Sequence, residues 1–302
     1  MTDAALALHR QPGLAAKLRE GRTLPLLVVS AAIIGVWHLG AIWLNAGLVE
    51  QRLEQPTIRE FIATAWSLER PVLPAPHQVA IEFYDSVFDR EVDSPRSLVY
   101  HAYITGSATL VGFAFGALLG ILLALAIVRS RTLDRSLLPW IIASQTIPIL
   151  AIAPMIIVVL GNLGLTGLFP KAVISMYLCF FPVAIGMVKG LRSPDPLQLD
   201  LMRTYSATPI QTFWKLRWPA SMGFLFPSLK VAIAISLVGA IVGELPTGAQ
   251  EGLGARLLSG SYYGQTVQIW SALVMAALLG TVLVWVVGLV ERIVLSHMGG
   301  AR

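Results

Sequence analysis

Six stretches of roughly twenty apolar residues each leave this chain little choice of fold. They run Leu24–Leu44, Ile104–Val128, Leu137–Leu160, Lys171–Val188, Met222–Gly243 and Val267–Val290. A hydrocarbon core of ~30 Å needs about 20 helical residues to cross it. Backbone polar groups in lipid must satisfy one another, so such runs are expected as helices. Only 13% of the 302 residues are charged and 56% are hydrophobic, against about a quarter charged in soluble domains. The expectation is an all-α polytopic membrane protein with about six transmembrane helices. The first run follows a basic start and resembles a signal core, but signal cores are roughly 7–15 residues, so it reads as a retained anchor.

Charge placement gives the direction. Fourteen Lys/Arg fall in the tail before the first run, between the second and third, between the fourth and fifth, and after the sixth. The two short opposite loops carry only Lys171 and Arg256. Positive charge collects on the cytoplasmic side. Both termini are therefore expected in the cytoplasm: a tail at 1–23, the first span at 24–44, an outer loop at 45–103, a core at 104–292 and a tail at 293–302. The net charge of +5 is a topology signal and does not call for nucleic acid.

In the outer loop, Thr57-Ile58-Arg59-Glu60 is a capping box. Ile58, Phe61, Ile62, Ala65 and Leu68 then recur at helical spacing, and a second short helix is expected after Pro76. In the second run Ala108, Gly112, Gly116, Gly120 and Ala124 stand four apart. Such a small-residue stripe lets another helix approach closely, most simply within the chain.

Catalytic constellations are missing. The sequence has no GxxxxGK loop, no HExxH and no GxSxG. Its five histidines are scattered, and its single cysteine, Cys179, lies in an apolar run. Polar groups inside spans are the other functional pointers. Gln145 and Thr146 precede Pro148 in the third run, Ser175 sits in the fourth, Lys230 and Ser236 in the fifth, and Glu244 caps the fifth's outer end. They fit a solute path, and they also fit plain interhelical hydrogen bonds.

One polar segment interrupts the apolar pattern: Asp200-Leu201-Met202-Arg203 through Trp218-Pro219, within the loop 190–221. Pro194-Asp195-Pro196 closes what precedes it. Leu197–Tyr205 has helical character, Ser206–Pro209 is a turn, and Thr208 is placed to cap a second short helix with Pro209 at its first position. Trp218-Pro219 is expected to end that helix. Such a hairpin reads as a docking element for a soluble partner, or as an amphipathic loop held on anionic lipid.

This segment resembles the EAA loop of binding-protein-dependent ABC importer permeases. That pattern runs Glu-Ala-Ala, three residues, Gly, nine residues, Ile-x-Leu-Pro. Here Asp200-Leu201-Met202, three residues, Ser206, nine residues and Leu216-Arg217-Trp218-Pro219 keep the spacing, while Asp, Leu-Met, Ser and Trp replace the usual residues. Leu73-Pro74-Ala75-Pro76 with Val79 and the run Phe226–Glu244 are similar to the nitrate, sulfonate and taurine permeases. The resemblance extends from about residue 24 to 292. It implies a type I importer permease fold with a cytoplasmic coupling helix, multi-pass in a bacterial inner membrane. It implies work in a pair, as homodimer or heterodimer, with a dimer of ABC ATPase subunits that carry ATP and Mg, an external solute-binding protein and surrounding lipid. No cofactor is expected on this chain.

On that resemblance, Asp200, Leu201, Arg203, Ser206, Thr208 and Pro219 are expected in ATPase coupling, flanked by Lys215 and Arg217. Gln145, Thr146, Ser175, Lys230, Ser236 and Glu244 are candidates for the path. The solute is expected among pyrimidine-like heterocycles, sulfonates and nitrate. The rival is an ion-coupled secondary transporter, which needs a paired intramembrane carboxylate or an inverted repeat.

Overall fold

A computed structural model describes residues 23–246 and 251–298. The tail expected at 1–23, apart from Thr23, lies outside the described residues, as do 247–250 and the chain end from 299. The topology charges Arg10, Lys17, Arg19, Arg22 and Arg302 fall in those segments.

The described residues divide into two compact units, one up to Ile81 and the other from Glu82. In the first, α1 (Thr23–Glu50) contains the first apolar run and extends past the expected Leu44. Most of its apolar side chains face outward, as a lipid-facing helix requires. Helix α2 (Ile58–Ser67) begins at the capping box, with Thr57 and Glu60 bonding reciprocally. The Thr57 hydroxyl holds the Glu60 carboxyl below its ordinary range. Buried Asn45 joins the unit. Its Nδ2 donates to the carbonyls of Ala65 and Leu73, and its Oδ1 accepts from Val72 and Leu73. All four of its bonding positions are used, which is what a buried amide requires. Helix α3 (Pro76–Tyr84) follows.

The second unit is built on three helices: α4 (Leu98–Arg129), α7 (Leu168–Leu191) and α10 (Trp218–Glu244). Glycine sets their spacing. The stripe Ala108, Gly112, Gly116, Gly120 and Ala124 is wholly buried against α7. A Cβ on Gly120 would meet Val183 Cβ at 2.9 Å and Ala184 N at 3.0 Å. An adjoining face of α7 meets α10 the same way, with Gly190 against Ser221 and Gly239 against Ser175, each with its Cβ position 2.8 Å from the partner Cα. Helix α7 thus makes backbone-close contacts with both α4 and α10. Hydroxyls tie the trio together: Ser175 donates to Ser236 O, and Ser236 donates to Thr109 O, each at 2.9 Å.

The third run differs from its expectation. It is two helices, α5 (Arg131–Ser144) and α6 (Ile149–Asn162), meeting at 97°. The break is Gln145–Pro148. Pro148 has extended backbone at the α6 N-cap and has no amide to continue the α5 ladder. The Tyr177 hydroxyl donates to the freed Ser144 carbonyl and pins the bend to α7. Helix α12 (Thr266–His297) is the last span. Among the described residues five helices are thus long and apolar enough to cross a membrane, or six if the bent pair is one span.

Candidate functional site

The polar segment folds as a hairpin. Helix α8 (Pro196–Thr204) starts at a capping box in which Asp195 bonds Leu197 N and Gln198 returns to Asp195 N. It ends in paired bonds, Ser206 N to Arg203 O at 2.8 Å and Ala207 N to Met202 O at 2.9 Å. This is a Schellman ending, whose turning residue is left-handed and usually glycine. Ser206 holds that place at φ +52°. Left-handed backbone costs a residue with a Cβ roughly 1–2 kcal/mol. Ser206→Gly is therefore expected to slow amide exchange at 204–208 by roughly fivefold, and Ser206→Val to speed it, as read by hydrogen exchange.

Thr208 then caps α9 (Pro209–Thr212), bonding Gln211 N while Gln211 returns to Thr208 N. Trp218-Pro219 does not stop this helix. A π-helical turn over Phe213–Arg217 lets Trp218 N reach Phe213 O, so the helix runs unbroken from Pro209 to Glu244. The wider turn accommodates the proline that an α-helical ladder resists. Arg217 donates to Leu191 O at 3.1 Å and fastens the hairpin to the end of α7.

The hairpin's outward face combines charge with apolar surface. Asp200 and Arg203 pair at 2.9 Å, well exposed. Leu197, Leu201 and the C-cap Tyr205 stand four apart along α8 and are 79%, 55% and 76% exposed. Ile210 and Trp214 are exposed on the second arm. Exposed apolar rows rimmed by polar groups mark contact surfaces. The motif resemblance picked out Leu201 and missed Leu197, Tyr205, Ile210 and Trp214, whose i, i+4 spacing was open to view. Lys215 lies in the π turn.

The expected path residues do not form one group. Gln145 and Thr146 sit at the α5–α6 break, where Gln145 is half-buried and Thr146 is exposed. Ser175 and Ser236 are buried and engaged in the three-helix core. Lys230 forms an ion pair with Glu291 of α12, a partner that sequence reading did not identify.

Glu244 anchors a knot at the end of the bundle opposite the hairpin. Its carboxylate is fully buried. It accepts from Thr105 Oγ1 at 2.9 and 3.0 Å and from Gly254 N at 2.8 Å, with Lys171 Nζ at 3.5 Å. Thr105 Oγ1 in turn accepts from Leu253 N at 2.8 Å. His101 Nδ1 accepts from Gly252 N, and its Nε2 donates to Pro95 O, each at 2.9 Å. Gly252, at φ +113°, lies so close to the carboxylate that a Cβ would overlap it. The knot fixes the start of α11 (Leu253–Tyr262) on α4 and α10. Lys171 read as a loop charge in the sequence, and Thr105 and His101 gave no signal there.

Comparison with known proteins agrees with this architecture. The family described as binding-protein-dependent transport system inner membrane component matches residues 116–298. A probable ABC transporter permease of Haemophilus influenzae is 30% identical over 216 residues, 72% of this chain and 83% of its own. The formylaminopyrimidine transport permease of Halalkalibacterium halodurans is 32% identical over 184 residues, 61% of this chain and 68% of its own. The riboflavin transport system permease of Chloroflexus aurantiacus is 30% identical over 222 residues, 74% of this chain and 79% of its own. Permeases named for aliphatic sulfonates in Bacillus subtilis and for nitrate in Synechocystis also match, at 25% over 221 residues and 23% over 273 residues.

Proposed function

The chain belongs to the family of binding-protein-dependent transport system inner membrane components, and from that premise we propose that its hairpin couples solute passage to ATP hydrolysis on partner subunits. It is a multi-pass permease subunit of an ABC importer, with the type I importer fold. Permease subunits of this family are not themselves catalytic, and hydrolysis lies on separate chains. The observation that carries the proposal is the hairpin: an exposed apolar row beside an Asp200–Arg203 pair, continuous with α10. An ATPase groove that takes this face would move α10 as one lever when the ATPase dimer closes, a rigid-body switch biased from both ends.

In this reading two permeases face each other, the hairpin and both termini are cytoplasmic, and an external binding protein delivers the solute to the knot end. The charge distribution supports that orientation. The solute class we propose is a pyrimidine-like heterocycle, since a formylaminopyrimidine permease is among the relatives at 32% identity. Gln145 and Thr146 at the α5–α6 break are the proposed path residues. Ser175 and Ser236 spend their hydroxyls on interhelical bonds.

One observation keeps the ion-coupled rival in play: carboxylates at span ends, Glu244 and Glu291, each pair with a lysine. Proteoliposomes with the ATPase inside and binding protein outside separate the two. Uptake of labelled formylaminopyrimidine that needs internal ATP and survives proton and sodium ionophores is expected. Uptake driven by an ion gradient without ATP overturns the importer mechanism.

A further inference from the structure

At the end of the second unit opposite the hairpin lies a cleft of about 450 Å³ lined by Glu82, Arg90, Arg96, Arg256, Gln265 and Gln268. Three guanidiniums and one carboxylate line it. Arg90 is held in place, donating to Arg96 O at 2.9 Å and pairing with Glu82 at 3.5 Å. Glu82 also accepts from the Ser86 hydroxyl at 2.9 Å. Arg96 is exposed and makes no ion pair among the described residues. Arg256 is half-buried, and its buried Nε has no hydrogen-bond partner among the described residues. Burial and the Arg90 charge both push the Arg256 pKa down, with Glu82 opposing. A buried guanidinium donor without an acceptor, beside like charges, is costly unless an anion completes it. The nearby acidic residues Asp85, Asp89, Glu91 and Asp93 do not line the cleft.

We propose that this cleft receives an acidic side chain of the external solute-binding subunit, with Arg256 and Arg96 as the fork that holds its carboxylate. The inference rests on the importer reading above, which puts this end on the outer side. Charge complementarity selects the occupant: net positive side chains around a small polar recess match one projecting Asp or Glu. A phospholipid headgroup would satisfy the arginines equally, but none of the six lining side chains is apolar, so its acyl chains have no track to follow.

The test is a binding titration. Transporter assembled with its ATPase in phosphatidylcholine nanodiscs is titrated with the purified solute-binding protein of the same transport system, for wild type, Arg96→Glu, Arg256→Gln and Arg59→Glu. Arg59 is an exposed charge on α2 and controls for general electrostatics. Arg96→Glu and Arg256→Gln are each expected to weaken binding roughly tenfold, with thermal midpoint and basal ATP hydrolysis unchanged and Arg59→Glu near wild type. Equal affinity in all four, or equal loss in all three variants, overturns the cleft as a receptor while leaving the importer reading intact. A loss seen only when phosphatidylglycerol is added overturns it in favour of lipid. If the ATPase fails to co-purify with wild type, the importer reading falls and the inference with it.

Discussion

Replacing Lys171 with methionine is expected to cost the fold about 3–5 kcal/mol, and adding Glu244→Gln is expected to restore most of it. The magnitude follows from leaving a buried carboxylate without its counter-ion. Glu244 is fully buried and Lys171 nearly so, with Nζ 3.5 Å from the carboxylate. Lys171 also donates to Glu251 O at 3.1 Å, so its loss frees a loop carbonyl too. Gln at 244 keeps an acceptor for Thr105 and for Gly254 N but carries no charge, so the double variant removes the conflict rather than the knot. Detergent-solubilised protein followed by thermal unfolding reads both effects. A single variant as stable as wild type would show that the knot does not hold the start of α11.

The second large effect concerns glycine, and its sign depends on position. Gly120→Val is expected to destabilise by about 3 kcal/mol or more, because the new atoms meet α7 backbone, which cannot rotate away. Gly223→Ala, also within a helix, is expected to be neutral or to stabilise by up to about 1 kcal/mol. A Cβ there meets nothing within 4 Å. Thermal midpoints of the two variants measured side by side check the contrast. Equal shifts would mean that the α4–α7 contact is looser than the backbone spacing implies.

Much of this architecture was legible in the residues, and what was not has particular physical causes. Apolar runs near twenty residues located the long helices because lipid imposes that length. Four-residue spacing exposed the α4 stripe, and the capping box at Thr57 and the Thr208 cap before Pro209 marked two helix starts. The bend at Gln145–Pro148 was visible only as a proline. Hydrophobicity measures greasiness and carries no direction, so a 97° corner inside an apolar run looks like a span. Trp218-Pro219 misled for a related reason, because the π turn that tolerates it has no marker in sequence. The Glu244 knot joins residues 139 positions apart, beyond any periodicity. Ser175 and Ser236 show the limit of residue type: a serine in a span announces a hydrogen bond, but not whether a carbonyl or a solute receives it.

Hairpin coupling is tested most directly by ATP hydrolysis in nanodiscs, with the ATPase co-assembled and loaded binding protein added. The informative variant carries Asp200→Arg with Arg203→Glu, which keeps an i, i+3 pair on α8 while reversing the charges it presents. Wild type is expected to show several-fold stimulation by loaded binding protein, and the variant to lose it with its thermal midpoint unchanged. Equal stimulation of both would contradict coupling through this face and would leave the hairpin as a loop resting on lipid.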